Sequence, residues 1–191
     1  MNEVHFYPEI CQKFSRYLVS YLASESEIHF SYNKLLPQMI IEIEDKFNQR
    51  SCSQIYIPKL KLDILFGIKA KNSDKINYLL LEVKYLKQLG LAEYSQLVGY
   101  LQVAENIRLG ILLLVIKEDT VLGLSNDFHE IIRTQNLPMD WTIVIKNSLQ
   151  INHNFKTGIC CYTPNNGFEW IDVRDIYGIS NFEELAENLV S

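Results

Sequence analysis

A chain of 191 residues, 48% hydrophobic and 21% charged, is long enough to bury a cooperative core as one domain, and it is too apolar for a disordered or fibrous protein. The net charge of −5 excludes binding to polyanions by bulk electrostatics, which needs a basic face that releases counterions. Nucleic acid is then accessible to this chain only through a local positive groove.

The N-terminus, MNEVHFYPEI, carries Glu3 and Glu9 and lacks a basic start followed by an apolar run, so no secretory leader is expected and a cytoplasmic location is. Residues 8–23 repeat apolar positions at helical spacing. Ile10, Phe14, Tyr17, Leu18, Tyr21 and Leu22 share a stripe, Pro8 suits the first turn, and Glu9, Lys13 and Arg16 line another face. Residues 35–47 predict a second helix with Ile40, Ile41, Ile43 and Phe47 together, although 41–44 also alternates as a strand does. From residue 54 the period is two: Leu60, Leu62, Ile64, Phe66 and Ile68 fall on one side of an extended strand, and Lys59, Lys61, Asp63, Lys69 and Lys71 fall on the other. A turn at 71–75 leads to a second strand over 78–85, antiparallel to the first.

After Gly90 a helix is expected over 91–106, with Tyr94, Leu97, Leu101 and Ala104 buried and Gly99 permitting close approach to the sheet. Gly110 then opens a continuously apolar strand over 111–117, the pattern of a central strand covered on both faces. Its run at 111–116 is the longest purely apolar stretch, far below the ~18 residues a membrane span needs. Strand, helix and strand in this order make a right-handed parallel crossover. A helix over 125–134 capped by Ser125, a strand over 141–146, a hairpin turn at 164–167 and a closing helix over 181–190 follow. The fold class is therefore α/β, a mixed β-sheet flanked by α-helices. Residues 1–150 form its core, and the polar, turn-rich residues 151–191 form a small C-terminal extension packed on the same domain.

Asp63, Glu82 and Lys84 carry the chemistry, each inside an apolar segment: Leu62-Asp63-Ile64-Leu65 and Leu80-Leu81-Glu82-Val83-Lys84. Glu82 and Lys84 are two residues apart and share a strand face, and the neighbouring strand can bring Asp63 beside them. Two carboxylates about 4 Å apart repel by roughly 4 kcal/mol at a near-surface effective dielectric, so they need a cation or a proton between them. Lys84 offsets part of this charge and a divalent ion the rest. Carboxylate oxygens suit a hard ion such as Mg²⁺, with Mn²⁺ a substitute, which takes its remaining ligands from water and substrate phosphate. Water beside such an ion, with a lysine at hand, can attack phosphorus. The plainer alternative is an ion pair across two strands with no catalytic role.

Asp63, followed after 18 residues by Glu82-Val83-Lys84 and then by a helix bearing Gln96 in Ser95-Gln96-Leu97-Val98-Gly99-Tyr100-Leu101, resembles the PD-(D/E)XK nuclease superfamily over residues 9–117, with Leu62 where the family's name has Pro. The resemblance implies a restriction-endonuclease-like fold in which Asp63 and Glu82 hold the metal, Lys84 assists the attacking water and Gln96 supports the site. An acidic residue of the opening helix, here Glu9, would complete the metal's ligands. The implied activity is Mg²⁺-dependent hydrolysis of DNA phosphodiesters by an endonuclease of restriction, resolvase, repair or defence type. A homodimer is expected, since one cleft cuts one strand and a two-fold pair cuts both.

Lys59, Lys61, Lys69 and Lys71 are read as a phosphate-contacting strip on the face of Asp63, the local positive groove that the net charge otherwise withholds. Glu9 with Lys13 is also an ordinary i,i+4 pair. Tyr85, Tyr94 and Tyr100 lie near the site and could stack a base, although helix-face aromatics more often belong to the core. Cys11, Cys52, Cys160 and Cys161 fit no thiolate metal motif and are read as reduced and structural, and no two of the four histidines stand at ligand spacing. The alternative function is a non-catalytic nucleic-acid-binding or protein-binding module on the same fold.

Overall fold

The computed structural model describes residues 3–22, 26–50, 57–71, 73–86, 88–104, 106–116, 123–128, 140–145, 149–171 and 178–190, with the backbone alone at 123–124, 140–145 and 149–154. A 3-10 turn (Glu3–Phe6) leads into α1 (Tyr7–Val19), which has Pro8 in its first turn and buries Tyr7, Ile10, Cys11, Phe14 and Leu18. Strand β1 (Ser26–Leu35) follows, an element the hydropathy reading does not anticipate. It carries mostly polar residues and pairs on one side only, so its burial pattern is shallow. Next comes α2 (Leu36–Lys46), whose Leu36, Met39, Ile40 and Ile43 are buried. The strand alternative at 41–44 loses there to the helical spacing of the apolar side chains.

Strands β2 (Lys61–Ala70) and β3 (Asn77–Lys84) form the expected antiparallel pair, and β3 crosses through α3 (Leu91–Val103) to the parallel strand β5 (Ile107–Val115). The rest comprises β4 (Gln88–Leu89), β6 (Gly123–Leu124), β7 (Asp140–Ile145), β8 (Leu149–Asn154), β9 (Lys156–Thr163), β10 (Gly167–Trp170) and α4 (Phe182–Val190). The main sheet is mixed and six-stranded, in the order β1-β2-β3-β5-β9-β10, while β4 with β6 and β7 with β8 make two-stranded pairs. One apolar layer joins the sheet to α2 and α3, and a second joins it to α1 and α4. The class is α/β, with helices on both faces of an open sheet. No helix of the described residues is long and apolar enough to cross a membrane.

Three expectations change. The first concerns residues 151–191, whose described elements β9, β10 and α4 belong to the core: β9 lies parallel to β5 inside the sheet, β10 closes its edge, and α4 packs against the layer that contains Phe14 and Phe66. The signal was Lys156–Thr163 itself, apolar at Ile159, Cys160, Cys161 and Tyr162 and buried throughout that stretch, as a central parallel strand must be.

The second is β2, which does not present one apolar and one charged side. Ile64, Phe66 and Ile68 face α1 and α4, Leu65 faces α2, and Leu60 and Leu62 join the α2 and α3 layer. A strand covered on both faces has no solvated side for alternation to report.

The third is the close approach of α3 to the sheet, which comes at Gly110 and not at Gly99. A methyl group at Gly110 would meet Leu101 and Leu97 at 2.7 and 2.8 Å, whereas one at Gly99 meets nothing within 4 Å. At Gly158 on β9 a methyl group would lie 2.5 Å from the Ile179 carbonyl oxygen, a backbone atom, and 2.9 Å from the Trp170 ring. Gly158→Ala is therefore expected to destabilise by about 1–3 kcal/mol through overpacking. Gly99→Ala, within α3 at a position where a methyl group meets nothing within 4 Å, should stabilise by about 0.5–1 kcal/mol. Urea unfolding of the two variants checks both signs.

The closing helix is capped at its first residues. Asn181 Oδ1 accepts the Glu184 N–H at 2.8 Å, and Glu184 reaches back to the Ser180 N–H at 2.8 Å. Of the helix expected over 125–134, Ser125 receives the Phe128 N–H at 3.4 Å, and residues 129–134 lie outside the described residues. Cys11, Cys160 and Cys161 are buried free thiols, and Cys52 lies outside the described residues.

Candidate active site where two strands part

The β2–β3 ladder runs from Ile68↔Asn77 to Ile64↔Leu81 and stops one step short of Asp63 and Glu82. Beyond that pair the backbone bond is replaced by a side chain: Asp63 Oδ2 accepts the Val83 N–H at 2.8 Å. Asp is a poor strand former because its carboxylate competes for nearby backbone donors, and here it takes the donor a ladder would have used. Its other oxygen, Oδ1, accepts the hydroxyl of Tyr7, at the head of α1, at 2.6 Å. The strands thus part where two carboxylates face each other, and Asp63 is half-buried there.

Glu82 is 2% exposed, and its Oε1 accepts from Lys84 Nζ at 2.7 Å. Burial pushes its carboxyl up to about 7, the charge of Asp63 adds to this, the hydrogen bond and charge of Lys84 oppose it, and Glu3 adds a further, smaller push. Burial would loosen the Lys84 proton, but the hydrogen bond to Glu82 and the charges of Glu82, Asp63 and Glu3 outweigh it and hold the ammonium above its usual range. Burial and then the Asp63 hydrogen bond push the Tyr7 hydroxyl far above the ordinary phenol range, so it stays a donor. Lys84 Nζ also donates to Gln96 Oε1 at 2.8 Å, and Gln96 Nε2 donates to the Tyr100 hydroxyl at 2.8 Å. Asp63, Glu82, Lys84 and Gln96 are therefore brought together from β2, β3 and α3, with exposed Gln96 at the solvent side.

Glu9 does not join them. It accepts from Lys13 at 2.7 Å and from the Tyr162 hydroxyl at 2.8 Å, over β9. The acidic residue of the N-terminal segment that bears on the site is Glu3, whose charge acts on Tyr7, Glu82 and Lys84. Glu3 opens the 3-10 turn that precedes Tyr7, outside the α-helical spacing of α1. What the sequence lacks is the rotation of the helix against the sheet.

The lysine strip is also divided. Lys59 and Lys61 are exposed at the Asp63 end of β2. Lys69 is six residues further along, roughly 20 Å away at strand rise, and donates to Gln49 Oε1 at 2.5 Å. Between them the face is filled by Leu65 under α2. Tyr94 is a core residue, buried and bonded to Thr157 at 2.8 Å.

Among the described residues no group of three or more His, Cys, Asp or Glu is assembled to hold a metal ion. The donor set still fits a hard dication of the Mg²⁺ kind, which takes one or two carboxylates and keeps several waters. Each Asp63 oxygen accepts one hydrogen bond and retains a lone pair, and Glu82 presents a second carboxyl group whose charge is disfavoured until a cation joins it.

These features define an α/β protein in which two carboxyl groups and an ammonium meet at the open end of a parted strand pair. No protein-family model, curated protein or solved structure matches the chain.

Proposed function

We propose that the protein is a metal-dependent nuclease that hydrolyses DNA phosphodiester bonds, an endonuclease on a restriction-endonuclease-like fold. The observation that carries this reading is the buried Glu82 carboxyl set beside Asp63 with the Lys84 ammonium at 2.7 Å. Asp63 and Glu82 would hold Mg²⁺ or Mn²⁺. An ion held there would supply positive charge to offset the negative charge developing on the phosphoryl and leaving oxygens.

Lys84, whose Nζ already donates to Glu82 and Gln96, acts through its N–H groups as a donor. Its Nζ, steadied by Glu82 and Gln96, orients the attacking water or a phosphate oxygen. Lys59 and Lys61, exposed at the same end of β2, contact the flanking backbone phosphates. A homodimer would place two such sites on the two strands of a duplex.

A binding module on the same fold is the second reading. The lack of a third acidic or imidazole ligand beside Asp63 and Glu82 favours it among the described residues. Supercoiled plasmid, linear duplex and a four-way junction, each incubated with Mg²⁺, Mn²⁺ or a chelator, separate the two. The nuclease cuts at least one substrate with metal and none with chelator, whereas the module binds equally in all conditions and cuts nothing.

A further inference from the structure

We infer that Tyr7 is a positioning residue that fixes the Asp63 carboxylate for a divalent cation, an inference that rests on the proposed nuclease site. Asp63 stands beyond the end of the β2–β3 ladder, held on its other side by the pairing of Leu62 and Ile64 with β1, and its carboxylate has two protein partners. The Val83 N–H binds Oδ2 at 2.8 Å and the Tyr7 hydroxyl binds Oδ1 at 2.6 Å. With both oxygens held, the carboxylate cannot rotate about its last bond, and the lone pairs that remain have fixed directions. Tyr7 is itself 1% exposed, and its ring meets the Tyr32 ring edge-on with centroids 6.3 Å apart, so the hydroxyl is delivered by a packed side chain and not by a mobile one.

Such partners of a metal-binding carboxylate orient it and cut the entropy lost on binding. Removing one typically weakens metal affinity by roughly 10- to 100-fold.

The chain supplies its own matched control. Tyr162 is a second buried tyrosine whose hydroxyl donates to a carboxylate, Glu9 at 2.8 Å, away from the site. The experiment titrates Mn²⁺ alone into the full chain by calorimetry for the parent, Tyr7→Phe, Tyr162→Phe and Asp63→Asn, and records each unfolding midpoint. Mn²⁺ affinity should fall roughly tenfold or more in Tyr7→Phe, stay within about twofold of the parent in Tyr162→Phe, and vanish in Asp63→Asn. At saturating Mn²⁺ the plasmid cleavage rate of Tyr7→Phe should return to within a few fold of the parent.

If Tyr7→Phe binds Mn²⁺ like the parent while Asp63→Asn does not bind it, the Tyr7 inference fails and the nuclease site stands. If Tyr7→Phe and Tyr162→Phe lose affinity and unfolding midpoint together, Tyr7 is a structural residue and the inference fails again. If the parent binds no Mn²⁺, or Asp63→Asn binds it as well as the parent, the site reading itself falls and takes the inference with it.

Discussion

Lys84→Ala is expected to lower plasmid cleavage by roughly 10²- to 10⁴-fold, the range typical of a lost group positioned at the reacting atoms, and Asp63→Asn to remove it altogether, with both proteins still folded. The fold survives for reasons specific to this site. Removing one partner of a buried ion pair usually costs about 3–5 kcal/mol, because the other charge is stranded. Glu82 already takes up a proton near neutrality, so without Lys84 it becomes neutral instead of remaining a stranded anion. Asn is preferred to Ala at position 63 because an amide oxygen can still accept one of the two hydrogen bonds, from Tyr7 or from Val83, that Ala would leave unmet at about 1–3 kcal/mol each. Cleavage rates on supercoiled plasmid, with circular dichroism and thermal midpoints alongside, check the result. Parental cleavage in either variant removes that residue from the chemistry.

The metal-free protein should lose stability as pH rises from about 4.5 to about 7, by up to about 3 kcal/mol, and Glu82→Gln should abolish the loss. Glu82 is protonated more readily in the folded protein, at about 7, than in the unfolded chain near 4.5. A group raised on folding contributes stability that is fully present below the unfolded value and disappears as pH climbs past the folded one. A gap of about 2.5 units at about 1.36 kcal/mol each sets the ceiling. Glu9 and Glu42 shift the opposite way, held down chiefly by hydrogen bonds from Lys13 and Lys34, so their contributions fade only in acid, below the window in question. The shifts of Lys84 and Tyr7 act in alkali, above it. Urea unfolding at pH 5, 7 and 8.5 with a chelator tests the sign. Adding Mn²⁺ at pH 8.5 should restore the stability in the parent and not in Glu82→Gln, because a cation substitutes for the lost proton.

The two-strand core of the site was legible because its logic is local. Glu82 and Lys84 share a face by strand period alone, and their segments are too apolar to carry charge without cause. The βαβ crossover was readable for the same reason, as helical period at Tyr94, Leu97 and Leu101 gives way to the unbroken run that begins at Ile111. What escaped depends on contacts distant in sequence. Whether Glu3 or Glu9 faces Glu82 is set by how α1 rolls against β2 and β9, through Phe14 on Phe66 and Tyr162 on Glu9. Tyr7, 56 positions from Asp63, falls just ahead of the helix expected over 8–23 and shows its role only through its hydroxyl. Alternation alone does not show that the lysine strip is interrupted, because α2 buries that face at Leu65. The inclusion of β9 in the sheet was missed because composition over 151–191 as a whole is polar, while the eight residues of Lys156–Thr163 are not.

The measurement that bears most directly on the central claim is anomalous diffraction from crystals of the full chain soaked in Mn²⁺. A peak touching carboxylate oxygens of both Asp63 and Glu82, absent from Asp63→Asn crystals, is the predicted result. A well-ordered map with Mn²⁺ bound elsewhere, or nowhere, while Lys84 remains locked on Glu82, would contradict it.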